Sequence, residues 1–226
     1  MYLDSGYMLV ILPALALSLI AQIWVKSAFS KFSKIQSRRG ISGAEAARII
    51  LRSNGISNVQ IEAIPGSLSD HYNPATRVLS LSEPVFGKTS ISAIGVAAHE
   101  AGHALQHARG YGPLGLRSAL VPVAGIGSRF GPYVALAGFV MSMPLLVDAG
   151  IVLFSAAVGF YIITLPVEFN ASGRAVEAIR SNAILTEEEL SGVKRVLSAA
   201  AMTYVASTLS AMASLLRLVL LRGRRR

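Results

Sequence analysis

The stretch His99-Glu100-Ala101-Gly102-His103 sets two imidazoles four residues apart, with a carboxylate beside the first. On a helix, positions i and i+4 share a face, so both imidazoles can bind one metal ion while Glu100 reaches a water bound to it. Imidazole with carboxylate ligation favours zinc. The chemistry of such a site is hydrolysis of a peptide bond by metal-activated water, with Glu100 as the general base. The chain has no cysteine, which excludes thiolate ligands, disulfides and a cysteine nucleophile.

A catalytic zinc ion takes three protein ligands and keeps a position for water, so one ligand must come from elsewhere. His107 continues the spacing, but it lies eight residues from His99, about 12 Å along a helix, too far for both to reach one ion. The longer pattern with a glycine and a third histidine downstream fails, because those positions hold Gln106 and Arg109. The remaining class draws a glutamate from a later helix, and the candidates are Glu168, Glu177 and Glu187, Glu188 and Glu189. The last three follow Thr186 as first-turn residues, where negative charge suits the helix dipole and solvent is the expected neighbour. Glu168 instead closes an apolar run in Pro-Val-Glu-Phe-Asn-Ala-Ser, where a carboxylate without a partner is costly. It is the predicted third ligand of one Zn2+ per chain. A developing oxyanion also needs hydrogen-bond donors, for which His71, Tyr72 and Arg174 are candidates. Asn170, two residues after Glu168, is a further candidate for supporting the site or the substrate.

The elements that must position these groups can be read around them. Ser90 to Arg109 is predicted as the motif helix, apolar on most sides and stopped by Gly110. Ser42 with Glu45 forms a capping box for a short helix ending near Asn54-Gly55. Val59, Ile61 and Ala63 alternate with polar residues as a strand, and Val78, Leu79 and Leu81 form a second; His71 and Tyr72 lead into the turn signal Asn73-Pro74. These strands predict a small antiparallel sheet beside the motif helix, whose edge can hold an extended substrate by main-chain pairing.

Composition places this domain on a membrane. The 226 residues are 53% hydrophobic and only 15% charged, with a mean hydropathy of +0.55, against a charged share of about 25% in ordinary soluble domains. The net charge of +9 lies beside apolar runs and at the C-terminus, without interleaved aromatics. That pattern suits anionic lipid headgroups and argues against nucleic acid. Tyr7 to Val25 is long enough to span a bilayer. Asp4 precedes this run, while Lys26, Lys31, Lys34, Arg38 and Arg39 follow it, an order that fits a retained anchor and places the following domain in the cytoplasm. Leu114 to Arg129, rich in glycine and proline, reads as a surface or interfacial connection. Tyr133 to Val147 and Ile151 to Val167 read as a membrane hairpin turning at Asp148-Ala149-Gly150, with Pro144 tilting or kinking the first span. Ala199 to Leu221 is a fourth apolar run. As a span it would put Arg222, Arg224, Arg225 and Arg226 outside, against the positive-inside rule, and docking against the other segments or lying at the interface are the other placements.

The expectation is a mainly α membrane protein with about four transmembrane helices and a small α+β, zincin-like cytoplasmic domain. Its parts are an N-terminal transmembrane helix (1–25), a cytoplasmic metallopeptidase domain (26–131), a transmembrane hairpin (132–167), a cytoplasmic segment carrying the third ligand (168–198) and a C-terminal membrane helix with a basic tail (199–226). A transporter would need polar groups along several spans, and the runs offer only Asp148 and Arg217. A non-catalytic membrane scaffold with a structural zinc site is the alternative reading.

Three motifs in order, Leu-Ser-Asp-His-Tyr-Asn-Pro, Ala-Ala-His-Glu-Ala-Gly-His-Ala-Leu-Gln and Pro-Val-Glu-Phe-Asn-Ala-Ser, carry a resemblance over nearly the whole chain. The sequence resembles the YugP-type family of membrane-bound neutral zinc metallopeptidases. The resemblance implies a gluzincin-like site, with His99, His103 and Glu168 as ligands and Glu100 as general base. Ser172 stands where related membrane peptidases place an aspartate that supports a histidine ligand; a serine orients imidazole more weakly than a carboxylate does. The expected partners are the lipid bilayer and a protein or peptide substrate, itself membrane-associated. The expected location is a bacterial inner (cell) membrane with the active site facing the cytoplasm.

Overall fold

The computed structural model describes residues 5–223, so the charges of Asp4, Arg224, Arg225 and Arg226 lie outside the described residues. The elements are α1 (Ser5–Ser33), α2 (Gly43–Ser53), β1 (Gln60–Ile64), β2 (His71–Asn73), β3 (Val78–Ser82), α3 (Glu83–Phe86), α4 (Ile91–Ala108), α5 (Gly112–Val140), α6 (Pro144–Ser181) and α7 (Glu187–Gly223). Among the described residues, four helices are long and apolar enough to cross a membrane: α1 over Ile11–Ser33, α5, α6 and α7. The chain is thus a mainly α membrane protein with a small mixed sheet. It divides into two compact units, one containing residues up to Gln22, Pro113–Pro166 and the chain from Met202, the other Ile23–Gly112 with Val167–Ala201.

The first unit is built on small residues. A Cβ added at Gly127 would stand 2.2 Å from the Leu153 carbonyl, at Gly138 2.5 Å from the Val147 nitrogen, and at Gly150 2.3 Å from the Ala135 nitrogen. Glycine therefore lets α5 and α6 approach to backbone contact, the packing that replaces hydrophobic burial where the solvent is itself apolar. Large side chains such as Leu15, Leu19, Val121, Leu136 and Leu145 are exposed, as a surface meeting lipid requires. Polar groups pair internally: Ser18 and Ser210 hydroxyls lie 3.1 Å apart, and Thr208 donates to the Tyr204 carbonyl at 2.8 Å. Arg222 makes two bonds to the Asp148 carboxylate, at 2.8 and 3.0 Å.

Three expectations change here. Leu114 to Arg129 is helical throughout, since α5 carries Pro122 and Pro132 in its interior without ending. The turn of the hairpin lies at residues 141–143, ahead of the expected Asp148-Ala149-Gly150, which sits inside α6. Ser142 adopts a positive φ of 55° to make the turn. Pro144 opens α6 instead of kinking a span, because the first helical position has no N–H bond for proline to lose. Asp148 is held as the partner of Arg222, and Gly150 as a packing contact.

In the second unit, the Ser42 hydroxyl accepts from the Glu45 N–H at 3.2 Å and starts α2, whose apolar face buries Ala46, Ala47 and Ile50. The strand order is β1-β3-β2. β2 pairs antiparallel to β3, with His71 opposite Ser80, but β1 pairs parallel to β3, with Ile61 opposite Leu79, so the sheet is mixed where an antiparallel one was expected. The difference comes from the short strand β2, assigned by its sequence to a turn approach. It occupies the far edge, and the Asn73-Pro74 turn returns the chain as β3 between the other two. The Asn73 side chain holds that turn by accepting from the Ala75 N–H at 2.9 Å. Leu79 and Leu81 of β3 are fully buried with Ile50, Ile94, Ile179 and Leu190 in one core.

The Ser90 hydroxyl accepts from the Ala93 N–H and starts α4; Gly110, at φ 61°, follows its end. Against α4 lies α6: a Cβ at Gly102 would stand 2.5 Å from the Ala171 carbonyl oxygen. Only glycine permits that approach. Thr186 and Glu189 start α7 with a reciprocal capping box, the Thr186 N–H donating to Glu189 at 2.8 Å and the Glu189 N–H to the Thr186 hydroxyl at 3.3 Å.

Candidate metal centre

Helix α4 turns His99, Glu100 and His103 inward. His103 and Glu100 are buried, His99 is slightly more open, and Glu168 of α6 retains 2% exposure. His99 Nε2 lies 3.2 Å and His103 Nε2 3.6 Å from the same oxygen, Glu168 Oε2. The two imidazoles meet edge to face, with centroids 4.8 Å apart. One donor atom from each of His99, His103 and Glu168 falls within 4.8 Å of the others, the spacing of a group that could hold a metal ion.

The far sides of both rings are also held. His99 Nδ1 lies 3.2 Å from the Ser172 hydroxyl, one turn beyond Glu168 on α6. His103 Nδ1 lies 3.0 Å from Gln106 Oε1. The Gln106 amide nitrogen donates to the Val167 carbonyl at 2.8 Å and to Asn170 Oδ1 at 3.0 Å, so its oxygen must be the acceptor facing His103. His103 Nδ1 therefore carries the hydrogen. In the neutral ring, Nε2 then points a lone pair at the Glu168 carboxylate, and two acceptors at this distance need a cation between them.

Without metal, a proton meets that need. Burial works against the charged form of His103, but its bond to Glu168 and the charges of Glu100 and Glu168 outweigh burial and raise its pKa. A divalent ion meets the same need with more charge. Two imidazoles and one carboxylate are the donor set of a hydrolytic zinc site, and the residues present fit it.

The other candidates have places of their own. Asn170 Oδ1 accepts from Gln106 and, at 2.7 Å, from Arg174 Nε; the Arg174 guanidinium lies 5.8 Å from the Tyr111 ring centroid. The His71 ring bonds the Ser69 carbonyl on an exposed part of β2, at 2.8 Å. The Tyr72 hydroxyl lies 2.8 Å from His107 Nδ1, which occupies His107 away from the ligand group. Glu177 lies 3.8 Å from Arg180, Glu187 and Glu188 pair with Arg180 and Arg38, and Glu189 caps α7. Gln106 escaped the sequence reading, where it counted only as the wrong residue for a longer motif. Its signal was available: a polar residue three positions after His103 on an apolar helix shares that residue's face.

The sequence matches the model of a family described as "Putative neutral zinc metallopeptidase" over residues 7–223. It is 50% identical over 210 residues to the "Putative membrane protease YugP" of Bacillus subtilis (strain 168), the match covering 93% of each chain. No solved structure matches.

Replacing Gln106 by leucine removes the acceptor that fixes the His103 ring. The expected result is a zinc affinity lowered by about 10- to 100-fold, measured by competition with a chromophoric chelator. Unchanged affinity contradicts the orientation assigned to the imidazole.

Proposed function

Since the chain belongs to the neutral zinc metallopeptidase family, we propose that it hydrolyses peptide bonds of protein or peptide substrates at the cytoplasmic surface of a bacterial inner membrane. The observation that carries this reading is the convergence of His99, His103 and Glu168 donor atoms, with Glu100 the residue after His99 in the chain. His99, His103 and Glu168 would hold one Zn2+, which supplies Lewis acidity toward a water molecule and the scissile carbonyl.

The chain's own groups supply the rest. Glu100, at 9% exposure, accepts the proton of the attacking water and returns it to the leaving amine. Gln106 and Ser172 hold the imidazoles in one orientation, so no reorganisation is needed during reaction. Arg174 steadies Asn170, and through it Gln106. The substrate is membrane-associated, in keeping with four apolar helices. The cytoplasmic placement rests on Lys26, Lys31, Lys34, Arg38 and Arg39 after the first span.

Glu100→Gln is expected to keep stoichiometric zinc, by elemental analysis, while proteolysis of an unfolded protein substrate falls about 10²- to 10⁴-fold. Proteolysis at the wild-type rate would remove Glu100 from the mechanism, and zinc-loaded wild-type protein that cuts nothing would remove the peptidase reading. The chain lacks cysteine, so Ser57→Cys introduces a lone thiol at an exposed position. A membrane-impermeant maleimide is expected to label it in inverted vesicles and not in right-side-out ones. The opposite pattern places the domain outside.

A further inference from the structure

One turn beyond His103 the second unit holds a cavity that the reaction above does not use. Its volume is about 340 Å3, within the range of small-ligand pockets. Ala104 and His107 of α4 line it on one side, and Ile56, Asn58, Tyr72 and Arg77 on the others. Among the described residues, no aspartate or glutamate lines it.

Its polar side chains bring hydrogen-bond donors and no formal negative charge. Arg77 brings a guanidinium and is in no ion pair among the described residues. Tyr72 and His107 share one hydrogen bond of 2.8 Å, and either way one donor remains. If the phenol donates to Nδ1, the neutral ring keeps its hydrogen on Nε2; if Nδ1 donates, the phenol keeps its own hydrogen for a ligand. Burial raises the Tyr72 pKa against the opposing pull of Arg77, so the phenol stays protonated at neutral pH. Arg77 sits where the hairpin turn enters β3, at φ 56°, a left-handed conformation that asparagine adopts more readily than arginine does.

The spacing ties the cavity to the metal group. His107 follows His103 by four residues, a rise of about 6 Å along α4. An extended peptide advances about 3.3 Å per residue, so a substrate lying along α4 would reach the cavity about two residues from a scissile bond held at His103. We propose that the cavity of Tyr72, Arg77 and His107 is a specificity pocket for an acidic side chain about two residues from the scissile bond. This assignment rests on the peptidase reading for its purpose. Its chemistry, a carboxylate held by guanidinium and neutral donors, stands on the cavity alone.

The test separates the two. Fluorescent decapeptides of neutral sequence, carrying one Glu or one Gln at a scanned position, are titrated against full-length, zinc-loaded protein bearing Glu100→Gln, with anisotropy as readout. The Glu peptide is expected to bind at least about tenfold more tightly than the Gln peptide at one position. Adding Arg77→Asn, which suits the backbone conformation, is expected to erase that preference and leave Gln-peptide binding unchanged. Equal binding of the two peptides, no binding of either, or a preference that survives Arg77→Asn overturns the pocket. If the preference is present and depends on Arg77, but the wild-type protein cuts neither peptide, the peptidase reading fails while the pocket stands.

Discussion

The approach of α4 to α6 at Gly102 and Ala171 is the constraint on which the site depends. A side chain at residue 102 would collide with the Ala171 carbonyl at 2.5 Å, so the helices meet backbone to backbone only because that residue is glycine. His103 is the next residue on one helix, and Glu168 lies three residues before Ala171 on the other. The contact therefore sets the distance between imidazole and carboxylate. A larger residue would force the helices apart by more than the tolerance of a metal bond.

Bringing those groups together creates the second constraint. A carboxylate retaining 2% exposure faces two ring nitrogens, and burying such groups without compensation is costly. The surrounding bonds leave little choice in how the compensation is made. Gln106 is fixed by Val167 and Asn170, so His103 must carry its hydrogen on Nδ1 and leave Nε2 toward Glu168. A cation between the ring nitrogen and the carboxylate supplies the compensation, a proton in the metal-free protein or a divalent ion with more charge. The first unit follows a different rule: in an apolar solvent, helices associate through close contact, and the glycines of α5 at 127 and 138 serve that end.

The parts of this arrangement that local chemistry determines could be read from the chain. The i, i+4 spacing of His99 and His103, the caps at Ser42 and Ser90, and the anomaly of Glu168 at the end of an apolar run are each visible within a few residues. Among the candidate carboxylates, Glu168 is the one whose apolar neighbours leave it no place in solvent, and it groups with the histidines. What stayed hidden depends on partners distant in sequence. Asp148-Ala149-Gly150 looks like a turn until Arg222 and Ala135 are known to pack against it. His71-Tyr72-Asn73 is too short to read as a strand, and without it β1 could not be known to run parallel to β3. Gln106 shows its role only once Val167 and Asn170 fix its amide.

Glu168 is the residue proposed to complete a metal site with the two histidines, and zinc X-ray absorption tests it most directly. Two imidazole nitrogens with oxygen donors at about 2.0–2.2 Å are expected in the zinc-loaded wild-type protein. Glu168→Ala, purified alongside, is expected to lose an oxygen donor and to fail to retain stoichiometric zinc. An unchanged spectrum with full zinc content in Glu168→Ala would show that the third ligand lies elsewhere and contradict the assembly of the site from α4 and α6.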